Sequence, residues 1–332
     1  MNTTLTAFVE EKIQAPSGAD CNPDWSKALK NLRNSHRQNL EYLCTYYPRT
    51  VMETMTLFMH LMKSMPSVKK MFAGRDVIRV LDYGCGTGGE ILGLYVALEW
   101  SLGDNVPDLE IDAVDGNADA LALMKDCVRK MGEFTTSTVT VRDILHEAHP
   151  GALMPDGLRD SYDVILTSKC LSELGGEFDL PYVSFANATL GRLAPQGIAV
   201  FIDVTCPQPE DRGGWWINQE MNEELSLFTQ RHPEYRTIFP IVCDGCPGCY
   251  QRRKSQRFLF DFRSYGMRLP ATTKVAFRVL SREALWQKVR AEVPPARWPI
   301  STGRYEGVCD DAGADDNVYA ELPEFCTNSP SC

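Results

Sequence analysis

"VLDYGCGTGGE", residues 80–90, follows the apolar run VIRV and precedes the apolar stretch ILGLYVAL. A strand that ends in glycines and feeds a helix lets a ligand approach the backbone where a Cβ would collide, and glycine permits positive φ. The cleft therefore lies at the strand's carboxyl end. Gly84-x-Gly86-x-x-Gly89 alone is a weak signal, because a dinucleotide fold uses that spacing to hold a pyrophosphate. Asp82, which opens D-x-G-x-G-x-G through Gly88, separates the readings. A carboxylate there suits a cationic ligand terminus, or fixes the loop's amides, better than it suits a pyrophosphate.

Outward from this turn, VIRVLDYG, LEIDAVDG, STVTVRDIL, YDVILTS and GIAVFIDVT are short β-rich runs separated by helical stretches. That rhythm predicts an α/β fold with a doubly wound, mostly parallel sheet covered on both faces. Upstream, DWSKALKNLRNSHRQNLEYLCTYY places Leu29, Leu32, Leu40 and Leu43 near helical spacing, with Asp24 as N-cap. PRTVMETMTLFMHLMKSM carries Val51, Met55, Phe58, Met59 and Met62 on one helical face and ends before Pro66. After Thr205 the rhythm breaks at CPQPEDRGGWW and resumes as the helical NQEMNEELSLFTQRH, while RFLFDFRSYG and TTKVAFRVLS extend the sheet. The expected organisation is an N-terminal helical lid (1–75), a Rossmann-like core (76–205), an insertion after strand five with the final strands (206–293), and an irregular tail (294–332).

With 332 residues, 44% of them hydrophobic, the chain can fill a large core. A formal net charge of −10 argues against general attraction to nucleic acid or anionic membrane. No uncharged apolar run approaches the ~18 residues of a membrane span, and MNTTLTAFVEEK has no apolar signal core, so a cytoplasmic location is expected. In that compartment the twelve cysteines read as thiols, core residues or metal ligands rather than a disulfide framework.

Two further acids end β-rich runs. Asp115, in AVDGNADAL, can accept from both hydroxyls of a ribose or simply cap a helix. Asp143, in VRDIL, can accept from an exocyclic amine or stand in solvent. In this order the glycine turn, Asp115 and Asp143 resemble the class I S-adenosylmethionine-dependent methyltransferase superfamily over about residues 77–205. The resemblance implies that Asp82, Gly84, Cys85, Gly86, Thr87 and Gly88 cradle the methionine part of the cofactor. It implies that Asp115, followed by Gly116 and Asn117, holds the ribose, and that Asp143 with the Ile144 backbone binds adenine. It also implies that DVILTSKCLSEL (163–174) lies below the transferable methyl, with Ser168 and Lys169 lining the cleft. The stretch from the glycine turn to Asp115 is long for the superfamily, so an extended helix or loop is expected around residues 100–107.

Methyl transfer from a sulfonium needs alignment and, for some acceptors, proton removal. The candidates for that chemistry are Glu173 and Tyr46, with Lys169, Tyr42 and Tyr47 nearby and His36, His60 and His232 in helical patterns. Trp215, Trp216 and Phe228 can wall an acceptor pocket or pack in the core. The expected activity is methylation of a small organic acceptor; transfer of the aminocarboxypropyl arm or cyclisation of the cofactor are alternatives using the same site.

CDGCPGC sets Cys243, Cys246 and Cys249 at two consecutive C-x-x-C spacings. Three thiolates suit zinc or an iron–sulfur cluster, with Cys309 or Cys206 as the fourth ligand, or form a regulatory thiol loop. The run QRRKSQR supplies Arg252, Arg253, Lys254 and Arg257, either a solvated face or an RNA contact. Together with LSEL (171–174), these features resemble the methyltransferase-like family associated with assembly of the small ribosomal subunit, which carries an iron–sulfur cluster in this region. That resemblance implies a ribosomal-RNA methyltransferase or assembly factor as the alternative.

Overall fold

The computed structural model describes residues 5–19, 33–204, 217–239, 257–261, 272–292 and 318–319. At the N-terminus, α1 (Leu5–Ala7), a π-helical segment (Phe8–Gln14) and α2 (Ala15–Ser17) bury Phe8, Val9 and Ile13 in the core. Among the described residues the next helix is α3 (His36–Thr45), with Ser35 as its N-cap. Ser35 and Gln38 form a reciprocal capping box, which satisfies the first orphan N–H groups and fixes the helix start. Asp24, Leu29 and Leu32 lie outside the described residues.

Helix α4 (Tyr47–Ser64) is buried along nearly its whole length and packs into the core. It crosses α6 (Gly89–Leu102) so closely that a Cβ on Gly93 would lie 2.5 Å from the Val51 carbonyl oxygen; only glycine fits that crossing. Between them in sequence come α5 (Pro66–Ala73) and β1 (Val77–Tyr83). The expected extension near residue 100 is the last turn of α6 and a 3-10 turn, Gly103–Asn105.

The core continues through β2 (Asp108–Asp115), α7 (Ala118–Met131), β3 (Val139–Leu145), β4 (Tyr162–Ser168), α8 (Leu171–Leu174), α9 (Pro181–Thr189) and β5 (Leu193–Val204). Strands β1 to β5 are parallel in the order β3-β2-β1-β4-β5. Alternate residues feed two cores: Val80, Val164 and Val200 on the side of α4 and α6, and Leu81, Ile165 and Phe201 on the side of α9. This is the doubly wound Rossmann-like sheet expected from the sequence. The order reverses between β1 and β4, which opens a crevice at their carboxyl ends.

Past β5, α10 (Ile217–Arg231) packs on α9, followed by β6 (Tyr235–Phe239), β7 (Arg257–Asp261), β8 (Thr272–Arg282), α11 (Glu283–Glu292) and β9 (Val318–Tyr319). Strand β8 runs antiparallel to β5. Both β6 and β7 pair antiparallel with β8, β6 against Val279–Arg282 and β7 against Thr272–Ala276. They pair with different stretches of β8, so this region is built into the sheet, and in sequence the cysteine-rich stretch falls between them. Val318 and Tyr319 pair with β7, an ordered element inside the tail read as irregular.

Candidate active site

The crevice is a cavity of about 370 Å³ walled by the β1–α6 turn, the tip of β2, the ends of β3 and β4, and α3. Gly84, Gly86 and Gly88 take φ of 73°, 48° and 81°. A Cβ on Gly84 would also lie 2.3 Å from the Cys170 Sγ, so that position needs glycine for both conformation and space. Gly84, Gly86 and Thr87 line the cavity. Cys85 and Gly88 shape the turn from outside it, Cys85 as a buried thiol.

Asp115 sits at the tip of β2 and lines the cavity with Gly116 and Asn117. Its carboxylate accepts from the Gly86 N–H at 2.8 Å and the Asn117 N–H at 2.7 Å, tying the two turns together. Burial raises its pKa, against the lowering effect of those backbone donors. Asn117 caps α7, accepting from the Asp119 and Ala120 N–H groups.

Asp82 is 1% exposed, and neither carboxylate oxygen has a hydrogen-bond partner. Burial first, then the Asp115 charge, pushes its pKa up to about 8. Glu90, in the first turn of α6, is also buried and raised well above the ordinary carboxylate range, by burial and then by Asp82. Two carboxyl groups thus stand deprived of water beside the glycine turn. Ser168 and Thr87 line the cavity, and their hydroxyls are likewise buried without partners.

Lys169, directly after β4, is the one non-glycine residue of positive φ among the described residues, at 56°. Its ammonium pairs with the buried Glu53 carboxylate of α4. Backbone strain of this kind persists where surrounding contacts over-determine it. Glu173 lines the cavity on α8, and its neighbour Ser172 is pinned to the buried Asp203 of β5, Oγ to carboxylate at 2.8 Å.

Helix α3 covers the opening. Asn39 and Tyr42 line the cavity, and Asn39 donates to Asp119 at 2.9 Å and Asn117 at 3.3 Å. Tyr46 does not line the cavity: its ring stacks behind Tyr42 with centroids 4.8 Å apart. Of these two it is therefore Tyr42 that stands at the site, alongside Tyr83, and burial, then Glu90 and Glu173, raise its pKa.

Several expected site residues stand elsewhere. Asp143 pairs with Lys125 at 3.2 Å, and neither it nor Ile144 lines the cavity. His60 packs against Phe239, its pKa lowered to about 4 by burial and then Lys63. His36 pairs with Asp119, and Phe228 is a core residue stacked on His232. Trp215, Trp216, Cys206, Cys243, Cys246, Cys249, Cys309, Arg252, Arg253 and Lys254 lie outside the described residues. Among the described residues no group of three or more His, Cys, Asp or Glu is placed to hold a metal, and no helix is long and apolar enough to cross a membrane. Cys85, Cys127 and Cys170 are free thiols, and Cys44 is disulfide-bonded. Sequence reasoning missed Glu53, Asn39, His146 and Ala148. Ser35-x-x-Gln38 was the available signal for where α3 begins and hence for Asn39.

No protein-family profile matches the chain, and no curated protein does. Solved structures similar to it include loganic acid methyltransferase with SAH, at 11% identity and a TM-score of 0.45, covering 76% of this chain and 98% of that one. Another is a SAM-dependent methyltransferase from Methanosarcina mazei, at 11% identity and 0.37, covering 63% and 93%. The [4+2]-cyclase SpnF is similar at 19% identity and 0.34, covering 55% of this chain and 56% of its own.

Proposed function

We propose that this chain is an S-adenosylmethionine-dependent methyltransferase acting on a small organic acceptor. The observation that carries the reading is Asp82: a carboxylate 1% exposed, with both oxygens unpartnered, at the root of a glycine turn that walls a cavity. A buried ionisable group without a partner is costly, and a cationic ligand group at that point converts the cost into binding. The α-ammonium of an amino-acid tail is such a group, whereas a pyrophosphate would be repelled.

The residues present fit this cofactor. Asp82 and the Gly84–Thr87 backbone would hold its methionine part, and Asp115, whose carboxylate already organises both turns, would accept from the ribose hydroxyls. When bound, the cofactor supplies an electrophilic methyl group on a sulfonium. The chain's own work is to orient and exclude water: the Lys169–Glu53 pair fixes the wall after β4, and Tyr42 covers the turn. Glu173 lines the acceptor end and would take the proton of an acceptor that must lose one.

Calorimetry with S-adenosylhomocysteine and with a nicotinamide dinucleotide tests the reading. Tight binding of the first and none of the second is expected; the reverse overturns it. Product analysis then separates methyl transfer, which leaves S-adenosylhomocysteine, from arm transfer or cyclisation, which leave methylthioadenosine.

A further inference from the structure

The adenosine end of the cavity has an occupant the sequence does not announce. Strand β3 runs on to Leu145, so Asp143 pairs with Ala113, two register positions short of the Asp115–Leu145 pair at the tips. There its carboxylate turns to Lys125. The first residue past the strand is His146, which lines the cavity with Ala148 and Gly116.

His146 is held at three points. Its N–H donates to the Asp115 carbonyl at 2.9 Å, its Nε2 lies 3.0 Å from the Ala152 carbonyl, and a bridge between His149 and Ala152 closes the loop beneath it. A carbonyl oxygen only accepts, so Nε2 carries a hydrogen, and in the tautomer with its single hydrogen there Nδ1 is an acceptor. No described residue donates to that nitrogen. Ala148, 9% exposed, presents only a methyl group to the same wall and leaves room for a flat ring.

We propose that His146, not Asp143, reads the exocyclic amine of the cofactor's purine, by accepting from it at Nδ1. This rests on the cofactor reading above and makes the site selective for an amino-purine over an oxo-purine. An oxo group brings an acceptor against an acceptor, and a purine-reading site discriminates most strongly when a buried polar group is left unpaired.

The test is calorimetry of S-adenosylhomocysteine and its deaminated analogue, S-inosylhomocysteine, on the full chain and on H146A, H146F, H146Q and D143N. The wild type is expected to prefer the adenosine compound by roughly tenfold, the loss usual for one unpaired buried hydrogen-bonding group. H146A and H146F should erase that preference by weakening the adenosine compound, H146Q should restore part of it through its amide oxygen, and D143N should keep it. H146F retains ring volume, so it decides the matter should H146A fail to fold. An unchanged preference in H146A or H146F, or its loss in D143N, overturns the assignment while the cofactor reading stands. A folded wild type that binds neither compound overturns both.

Discussion

Glu53 of α4 and Lys169 at the end of β4 form an ion pair across the cavity wall, with the carboxylate 1% and the ammonium-bearing side chain 12% exposed. It joins the N-terminal helices to the part of the sheet where chemistry is expected. Removing one partner of a buried pair leaves an uncompensated charge, whereas removing both does not. E53A should therefore destabilise the protein by about 3 kcal/mol, and E53A/K169M by distinctly less. Urea denaturation of the two single variants and the double variant measures the coupling; additive losses would mean that the pair holds nothing together.

Asp82 makes stability and ligand affinity depend on pH in opposite senses. Its folded-state pKa, about 8, lies above the ordinary carboxylate value of 3.8, so the ligand-free fold holds a proton that the unfolded chain releases. The ligand-free protein therefore loses stability as pH rises from about 4 to about 8. A bound ammonium reverses the preference, so S-adenosylhomocysteine binding should release a proton below about pH 8 and tighten as pH rises to that value. Calorimetry in buffers of differing ionisation enthalpy counts the proton. D82N should be more stable than the wild type at the alkaline end and should bind with no proton release; release undiminished in D82N would assign it to another group.

The fold was legible because its signals are local. Five β-rich runs separated by helical stretches announce parallel strands, and Gly84 and Asp115, at or just past two strand ends, line the cavity there, with Asp82 buried behind the glycine turn. Where Asp143 stands depends on how far β3 continues, which the sequence does not record: the strand runs on to Leu145, two register positions past it. Glu53 was hidden inside a helix that reads as Met-rich core; its partner lies 116 residues away, and no periodicity records that pairing. Strand β6 was missed because YRTIF is short and its apolar residues make sense only against β8. Tyr46 and Tyr42 are one helical turn apart, and only the packing of α3 decides which of them reaches the cavity.

Gly84 tests the turn itself. An alanine there meets both a φ of 73° and a Cβ position 2.3 Å from the Cys170 Sγ. The left-handed conformation alone costs about 1–3 kcal/mol, and the collision adds to it. G84A should lower the melting temperature and abolish S-adenosylhomocysteine binding, while G84A/C170G, which removes the sulfur, should recover part of the stability but not all. Full recovery would show that the backbone conformation costs nothing, contrary to the strain assigned to it.

The closure of α3 over the cavity separates a working contact from an ornamental one. Asn39 is 3% exposed and donates to the Asp119 carboxylate at 2.9 Å and the Asn117 oxygen at 3.3 Å, beside the cavity wall formed by Asp115, Gly116 and Asn117. His36 pairs with the same Asp119 at 2.8 Å, but its side chain is 63% exposed. Buried hydrogen bonds to a charged acceptor are worth about 1.5–3 kcal/mol, whereas exposed pairs contribute about 0–1 kcal/mol. N39A should thus speed dissociation of S-adenosylhomocysteine by roughly tenfold, and H36A should leave it nearly unchanged. Stopped-flow displacement gives both rates on proteins whose melting temperatures are checked first. Equal effects from the two substitutions would mean that α3 is held by Asp119 as a whole and that Asn39 has no special part in retaining the ligand.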